Sequence, residues 1–426
     1  MDLFGSNFAP LLAVTGSQRP YIFDLPHLLS LPNGFEFRFR YRHRWVEKAL
    51  VSAIASDPGS LVGREIVLLF HSQPSRRIIP IRRGTVIALE SIGPMIFVRF
   101  RVGDFVKIDL DIANLGSQTV ASAVSDLSRL SEGWLGEFVA AEAGRDLSRP
   151  LPEGGYLRSA NAPVASDPWD RSDPPAAWAR LVAILHSEPE LSGIPFFYVL
   201  GFRTERGAAV ASGAVKNRFS VAREEIYGFS LVESERYRMR VIEWCEPPQG
   251  VEHPRIEVKC DFNAEQLALE GSSNLVVGRY DVVEFTFSAL QPGYSELSLR
   301  AKPRETEQAG EISVAAGIDA QPDGPTPAWT DWPAIFVARV PLLVKPRARR
   351  LLAPGISLAV GLALYLRVVP ALEPRPGRLV EVLSLGFLLF GYGGFGRYLE
   401  RLFKLSAGME KLKGGPREWA RTAKDD

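Results

Sequence analysis

The sequence predicts a mainly β protein with some α-helix: two cytoplasmic antiparallel β domains, barrel or sandwich in form, then a C-terminal two-helix transmembrane hairpin. Three observations carry this. Phe35 to Trp45 alternates aromatic and charged residues with a period of two, a second series of β patterns fills residues 177–303, and a long hydrophobic passage runs from Leu351 to Gly396. The 426 residues suffice for two or three domains with real cores. The expected division is an N-terminal β-rich domain at 1–145, a linker at 146–176, a sandwich-like domain at 177–303 and a linker at 304–330. A juxtamembrane segment and hairpin follow at 331–397, with spans at 351–372 and 379–396, and a basic amphipathic tail at 398–426.

In FEFRFRYRHRW, an extended strand puts Phe35, Phe37, Phe39, Tyr41, His43 and Trp45 on one face. The other face carries Glu36, Arg38, Arg40, Arg42 and Arg44. Further strands are expected at Glu65 to His71, Gly84 to Glu90, Met95 to Val102 and Asp104 to Leu110, with Gly93-Pro94 and Gly103 as turns. Helices are expected at about Trp45 to Ala55 and Ser117 to Ala143.

This domain is biased in charge: residues 1–110 hold 14 Lys+Arg against 9 Asp+Glu. Arg76, Arg77, Arg82 and Arg83 form a second cluster in SRRIIPIRR. Arginine forks match phosphate and carboxylate geometry, so Arg38, Arg40, Arg42, Arg44, Arg76, Arg77, Arg82 and Arg83 are candidates to bind a nucleotide, an oligonucleotide or anionic headgroups. The same strand pattern also fits a solvated face whose charges block edge pairing.

Residues 146–176 are rich in Pro, Gly, Ser and Asp, as a linker would be. AWARLVAILHSEPEL then predicts a helix, and GIPFFYVLGFR, EIYGFSLV, RYRMRVIEW, RIEVKCDF, YDVVEFTFSAL and YSELSLRA predict the strands of a sandwich. After the polar stretch 304–330, the prolines of DWPAIFVARVPLLVKPRARR, with Trp332 and Phe336, suggest an approach to the membrane interface.

As helices the two C-terminal runs rise about 33 and 27 Å, against a hydrocarbon core of about 30 Å. Lys345, Arg347, Arg349 and Arg350 precede the first, and Arg397, Arg401, Lys404, Lys411 and Lys413 follow the second, so both termini are expected on the cytoplasmic side. Glu373 to Arg378 suits the reversal. Arg367 and Glu381 lie near the turn, where their charges can snorkel or pair. Gly355, Gly361, Gly386, Gly391, Gly393 and Gly394 allow close helix approach, within the hairpin or to another subunit. A buried hairpin in a soluble domain remains the competing expectation.

Catalytic constellations are absent. There is no GxxxxGK[ST], HExxH, CxxC or GxSxG, and the five histidines are far apart in sequence. Cys245 and Cys260 exclude a disulfide-rich scaffold or a four-cysteine metal site built from this chain alone, and both are expected in the core. His43 is expected to be a satisfied core histidine. Neither an enzyme nor a cofactor is predicted. Gly391, Gly393 and Gly396 match GxGxxG, but the following chain is too short and basic for a dinucleotide-binding unit, and Gly391-Tyr392-Gly393 lies where a potassium filter does not. The N-terminus lacks a cationic segment followed by an apolar core, so no secretory signal is expected.

With Leu351 to Leu372 and Leu379 to Gly396 following soluble β domains, the layout resembles the two-helix transmembrane effectors of prokaryotic anti-phage defence, such as the Hailong-type channel component. The resemblance implies a bacterial inner-membrane homo-oligomer whose pore is controlled by a nucleotide or oligonucleotide signal. It makes the eight arginines the natural contacts. The alternative is a membrane-anchored scaffold whose β domains bind another protein.

Overall fold

A computed structural model describes residues 9–16, 24–135, 151–160, 167–192, 194–216, 225–245, 256–271, 274–277, 281–303, 336–347, 352–368, 380–394 and 396. The fold is mainly β with some helix, and the described residues form three sheets.

The first sheet runs in the order β2-β5-β4-β3-β1-β6, with β7 beside β5. Its strands are β1 (Leu11–Gly16), β2 (Glu36–Arg42), β3 (Glu65–Ser72), β4 (Arg77–Ile92), β5 (Met95–Val106), β6 (Leu157–Ser159) and β7 (Trp169–Asp170). It is not wholly antiparallel, because β1 pairs parallel with β3. β1 is buried along its whole length, so it shows no alternation from which a strand is easily read. The sheet curls: Tyr41 of β2 donates to the Val14 carbonyl of β1 at 3.2 Å, and a bridge between Val46 and Leu157 ties the two ends together.

Several boundaries differ from expectation. β2 ends at Arg42, and His43–Trp45 form a 3-10 turn, which removes Arg44 from the strand face. His43 leaves the core and meets the Ser91 hydroxyl at 3.0 Å. Gly93-Pro94 does turn the chain between β4 and β5, whereas Gly103 lies inside β5, with its carbonyl accepting from Arg82. Residues expected to be a linker supply β6 and β7, so that stretch adds strands to the first sheet.

Among the described residues, helices α1 (Asp24–Ser30), α2 (Lys48–Ser56) and α3 (Ser117–Leu135) belong to this part of the chain. α3 buries Val124, Leu127, Ser131 and Trp134 at helical spacing against β4. α4 (Pro174–Leu185) starts where the Asp173 carboxylate accepts from the Ala176 N–H at 3.2 Å, with Pro174 in the first turn.

The second module pairs two sheets. One has the order β14-β12-β16-β17-β10-β9 and the other β13-β15-β11-β8. Their strands are β8 (Phe196–Thr204), β9 (Ser212–Lys216), β10 (Glu225–Val232), β11 (Arg236–Trp244), β12 (Ile256–Asp261), β13 (Leu267–Glu270), β14 (Asn274–Val277), β15 (Asp281–Ala289), β16 (Gly293–Pro303) and β17 (Phe336–Lys345). Phe202 meets Phe229 and Phe262 meets Phe287 across the sheets, with ring centroids 5.0 and 5.6 Å apart. β17 corrects the expectation of a juxtamembrane approach from residue 331. It is an internal strand, antiparallel to β16 and parallel to β10.

The two β modules share one apolar core. α1 packs on β8 and β17, Phe35 meets Tyr227 and Phe229 at 5.6 and 5.1 Å, and Phe105 meets Tyr198 at 5.8 Å.

Candidate functional site

The described hairpin consists of α5 (Leu352–Ala363), a π-helical turn at Leu364–Val368, and α6 at residues 380–394. At about 1.5 Å per residue the two arms rise about 25 and 22 Å. Among the described residues no helix is long and apolar enough to cross a membrane. The turn at residues 369–379 and the tail from 397 lie outside the described residues, as do residues 304–335.

The glycines divide into two sets. A Cβ on Gly361 would lie 2.9 Å from the Leu388 nitrogen, one on Gly391 2.8 Å from the Leu358 nitrogen, and one on Gly394 2.6 Å from the Pro354 ring. These three let the two backbones touch. Gly355, Gly386 and Gly393 have open space where a side chain would go. Ser357 and Ser384 are buried between the arms, and Ser357 donates across them to the Phe387 carbonyl at 2.9 Å.

Of 16 exposed large hydrophobic residues among those described, 13 lie on this hairpin, including Ile356, Leu366, Val382, Leu389 and Tyr392. No hairpin residue joins the shared core of the β modules among the described residues. Glu381 is half-buried, and Arg367 lies in the π-helical turn.

The arginines also divide. Arg82 is fully buried, and all five of its N–H groups are used: on the Gly103 carbonyl twice, on the Leu28 and Leu31 carbonyls at 2.8 and 2.9 Å, and on the Asn33 amide oxygen at 2.9 Å. Its guanidinium also stacks over Phe105 at 4.2 Å. Burial pulls its pKa down to about 10, opposed by Tyr198 and Asp104. Arg82 thus fastens the end of α1 to the first sheet and has no donor left for a ligand. Arg83 is bound to the Asp104 carboxylate through Nε and a terminal nitrogen. Arg76 and Arg77 are exposed at the β3–β4 turn, Arg76 with φ +58°, and Arg77 lies 3.7 Å from the buried Glu188. Arg44 stacks over Trp45 at 4.7 Å.

Arg38, Arg40 and Arg42 remain together on the outward face of β2. The register with β5 adds Arg99 and Arg101, which sequence reasoning missed although their alternation in FVRFRV was a usable signal. The Arg38 guanidinium lies 4.6 Å over Phe97 and 3.3 Å from Glu90, and that of Arg101 lies 5.3 Å over Tyr227. The face holds five arginines against Glu36 and Glu90.

Other chemistry is sparse. Among the described residues no group of His, Cys, Asp and Glu could hold a metal ion. Cys245 and Cys260 are buried and form no disulfide with each other. Burial pulls His71 down to about 4, and His186 meets the Ile194 carbonyl at 2.9 Å. A cleft of about 810 Å³ beside Trp169 is lined by Lys107, Asp109, Asp111, Arg171 and Arg180, but Arg171 and Arg180 are paired with Asp167 and Asp170. No known protein-family model matches the chain, and no curated protein is significantly similar to it.

Proposed function

We propose that the chain is an oligomeric inner-membrane effector of anti-phage defence. In this reading the cytoplasmic β modules sense an anionic ligand of the nucleotide or oligonucleotide class, or a partner, and the C-terminal hairpin sits in the lipid bilayer and forms a controlled pore. The carrying observation is the hairpin's surface: 13 of 16 exposed large apolar side chains crowd onto two short helices whose own contact is made by glycine and serine. Monomeric soluble proteins rarely display such a patch, and lipid or a second copy would cover it. The half-buried carboxylate of Glu381 is the candidate group to influence ion passage. The arginine-bearing face of β2 and β5 supplies the anion-sensing side.

The test is a Leu389→Cys variant carrying an environment-sensitive fluorophore. On reconstitution into phosphatidylglycerol-containing vesicles its emission shifts to the blue, while a probe at Val62, exposed on the first module, is unchanged. Equal spectra at both positions argue against insertion. The alternative reading is a membrane-anchored scaffold whose β modules bind another protein. It predicts that Glu381→Gln leaves vesicle ion flux unaltered, whereas a pore predicts a change.

A further inference from the structure

We propose that the outward face of β2 and β5 binds a phosphate or diphosphate group through Arg38, Arg99 and Arg101. The β2–β5 register sets Arg38 directly opposite Arg99, with Arg101 two residues further along the same face. Like charges in that relation oppose pairing of the strands. A comparable pair, Arg203 opposite Arg238, is exposed, where water screens the repulsion. Arg38 and Arg99 are half-buried, with side chains 22% and 35% accessible, and have less such relief.

The available counter-charge does not saturate them. Glu90 reaches Arg38 at 3.3 Å, but Glu36 stands 3.9 Å from Arg99, and among the described residues no carboxylate pairs with Arg101. The Nε atoms of all three arginines are buried and make no hydrogen bond, that of Arg99 being the atom 3.9 Å from the Glu36 carboxylate. A guanidinium edge with an unused Nε–H is a donor fork suited to a tetrahedral or planar oxyanion. Burial draws Arg38 below the ordinary arginine range, Glu90 opposes this and Arg99 adds to it, so an anion bridging the two would remove a repulsion as well as fill the donors. The phosphate is either that of a free small molecule or that of a lipid headgroup, which share this chemistry.

The inference deepens the anion-sensing half of the proposed function and does not depend on membrane insertion of the hairpin. The test is thermal melting of the detergent-purified full chain at fixed ionic strength with sodium pyrophosphate, dioctanoyl phosphatidic acid or sodium sulfate. Wild type is expected to gain about 2–4 °C with saturating pyrophosphate or phosphatidic acid, and less with sulfate. A gain with pyrophosphate assigns the site to a free phosphate compound, and a gain with phosphatidic acid alone assigns it to a headgroup. Ligand-free Arg99→Gln should melt at or above wild type, since its repulsion with Arg38 is gone, and should lose the gain. Arg38→Gln gives the same reading if Arg99→Gln does not fold, and Arg203→Gln keeps the gain. An equal response to sulfate, or a gain that survives in Arg99→Gln and Arg38→Gln, overturns the site. Loss of the gain with unchanged membrane retention separates this result from the hairpin question.

Discussion

The backbone N–H of Arg347 donates to the Glu233 carboxylate at 3.4 Å, five residues before α5 begins, and the Glu233 N–H donates to the Lys345 carbonyl at 2.9 Å. Glu233 is almost wholly buried and directly follows β10. At its other end β10 places Tyr227 and Phe229 against Phe35, and Tyr227 under Arg101. One strand therefore connects the arginine-bearing sheet to the root of the hairpin.

Glu233→Ala removes the acceptor at that root. It is expected to destabilise the junction by about 1–3 kcal/mol. Hydrogen exchange should quicken by about tenfold or more at the Lys345 and Arg347 amides, while the β3 amides keep their protection.

Arg82→Lys is not conservative here. Lysine supplies three donors in place of five and cannot span four acceptors, so buried carbonyls lose partners. A loss of about 2–4 kcal/mol is expected in denaturant unfolding. Arg44→Lys, at an exposed position, should change stability by less than about 0.5 kcal/mol.

Within the hairpin, Gly391→Ala should loosen the contact, because its Cβ would meet the Leu358 backbone, a group that cannot swing aside. Gly386→Ala meets nothing and should be neutral. Protease resistance of residues 352–394 in reconstituted vesicles distinguishes the two: Gly391→Ala is cut sooner, and Gly386→Ala is cut like wild type.

Glu243 gives a pH dependence. Burial, with Asp281 beside it, raises its carboxyl to about 8 from an ordinary value of 4.5. A carboxyl raised in the folded state contributes stability fully present below about pH 4.5 and lost as pH rises through about 8. Glu243→Gln should flatten this part of the profile and raise the melting temperature at pH 8.5 by about 2–5 °C. An unchanged profile would mean that Glu243 is not the group responsible.

Legibility followed local pattern. β2 and β15 alternate because one face is buried, and the alternation is visible in the letters. β17 was hidden by Pro341, since proline inside a run argues against a central strand. The fold accommodates it through Gly228 on the neighbouring strand, where a Cβ would lie 2.5 Å from the Pro341 carbonyl oxygen. No local rule announces such a pairing, because it joins residues 113 positions apart. The arginines show the same limit. Arg82 and Arg83 are adjacent and chemically alike, yet a β-bulge and Gly103 send the first into the core and the second to Asp104. The apolar hairpin was legible as a passage, while the division of its glycines into contact and open sets depends on how the two arms meet.

Alkaline carbonate extraction of membranes from cells expressing the full chain tests the central claim most directly. The account predicts that the chain stays in the membrane pellet, because the apolar side chains of Ile356, Leu389 and their neighbours are held in lipid. Release of the chain into the supernatant would contradict insertion and leave the hairpin as a surface for another protein.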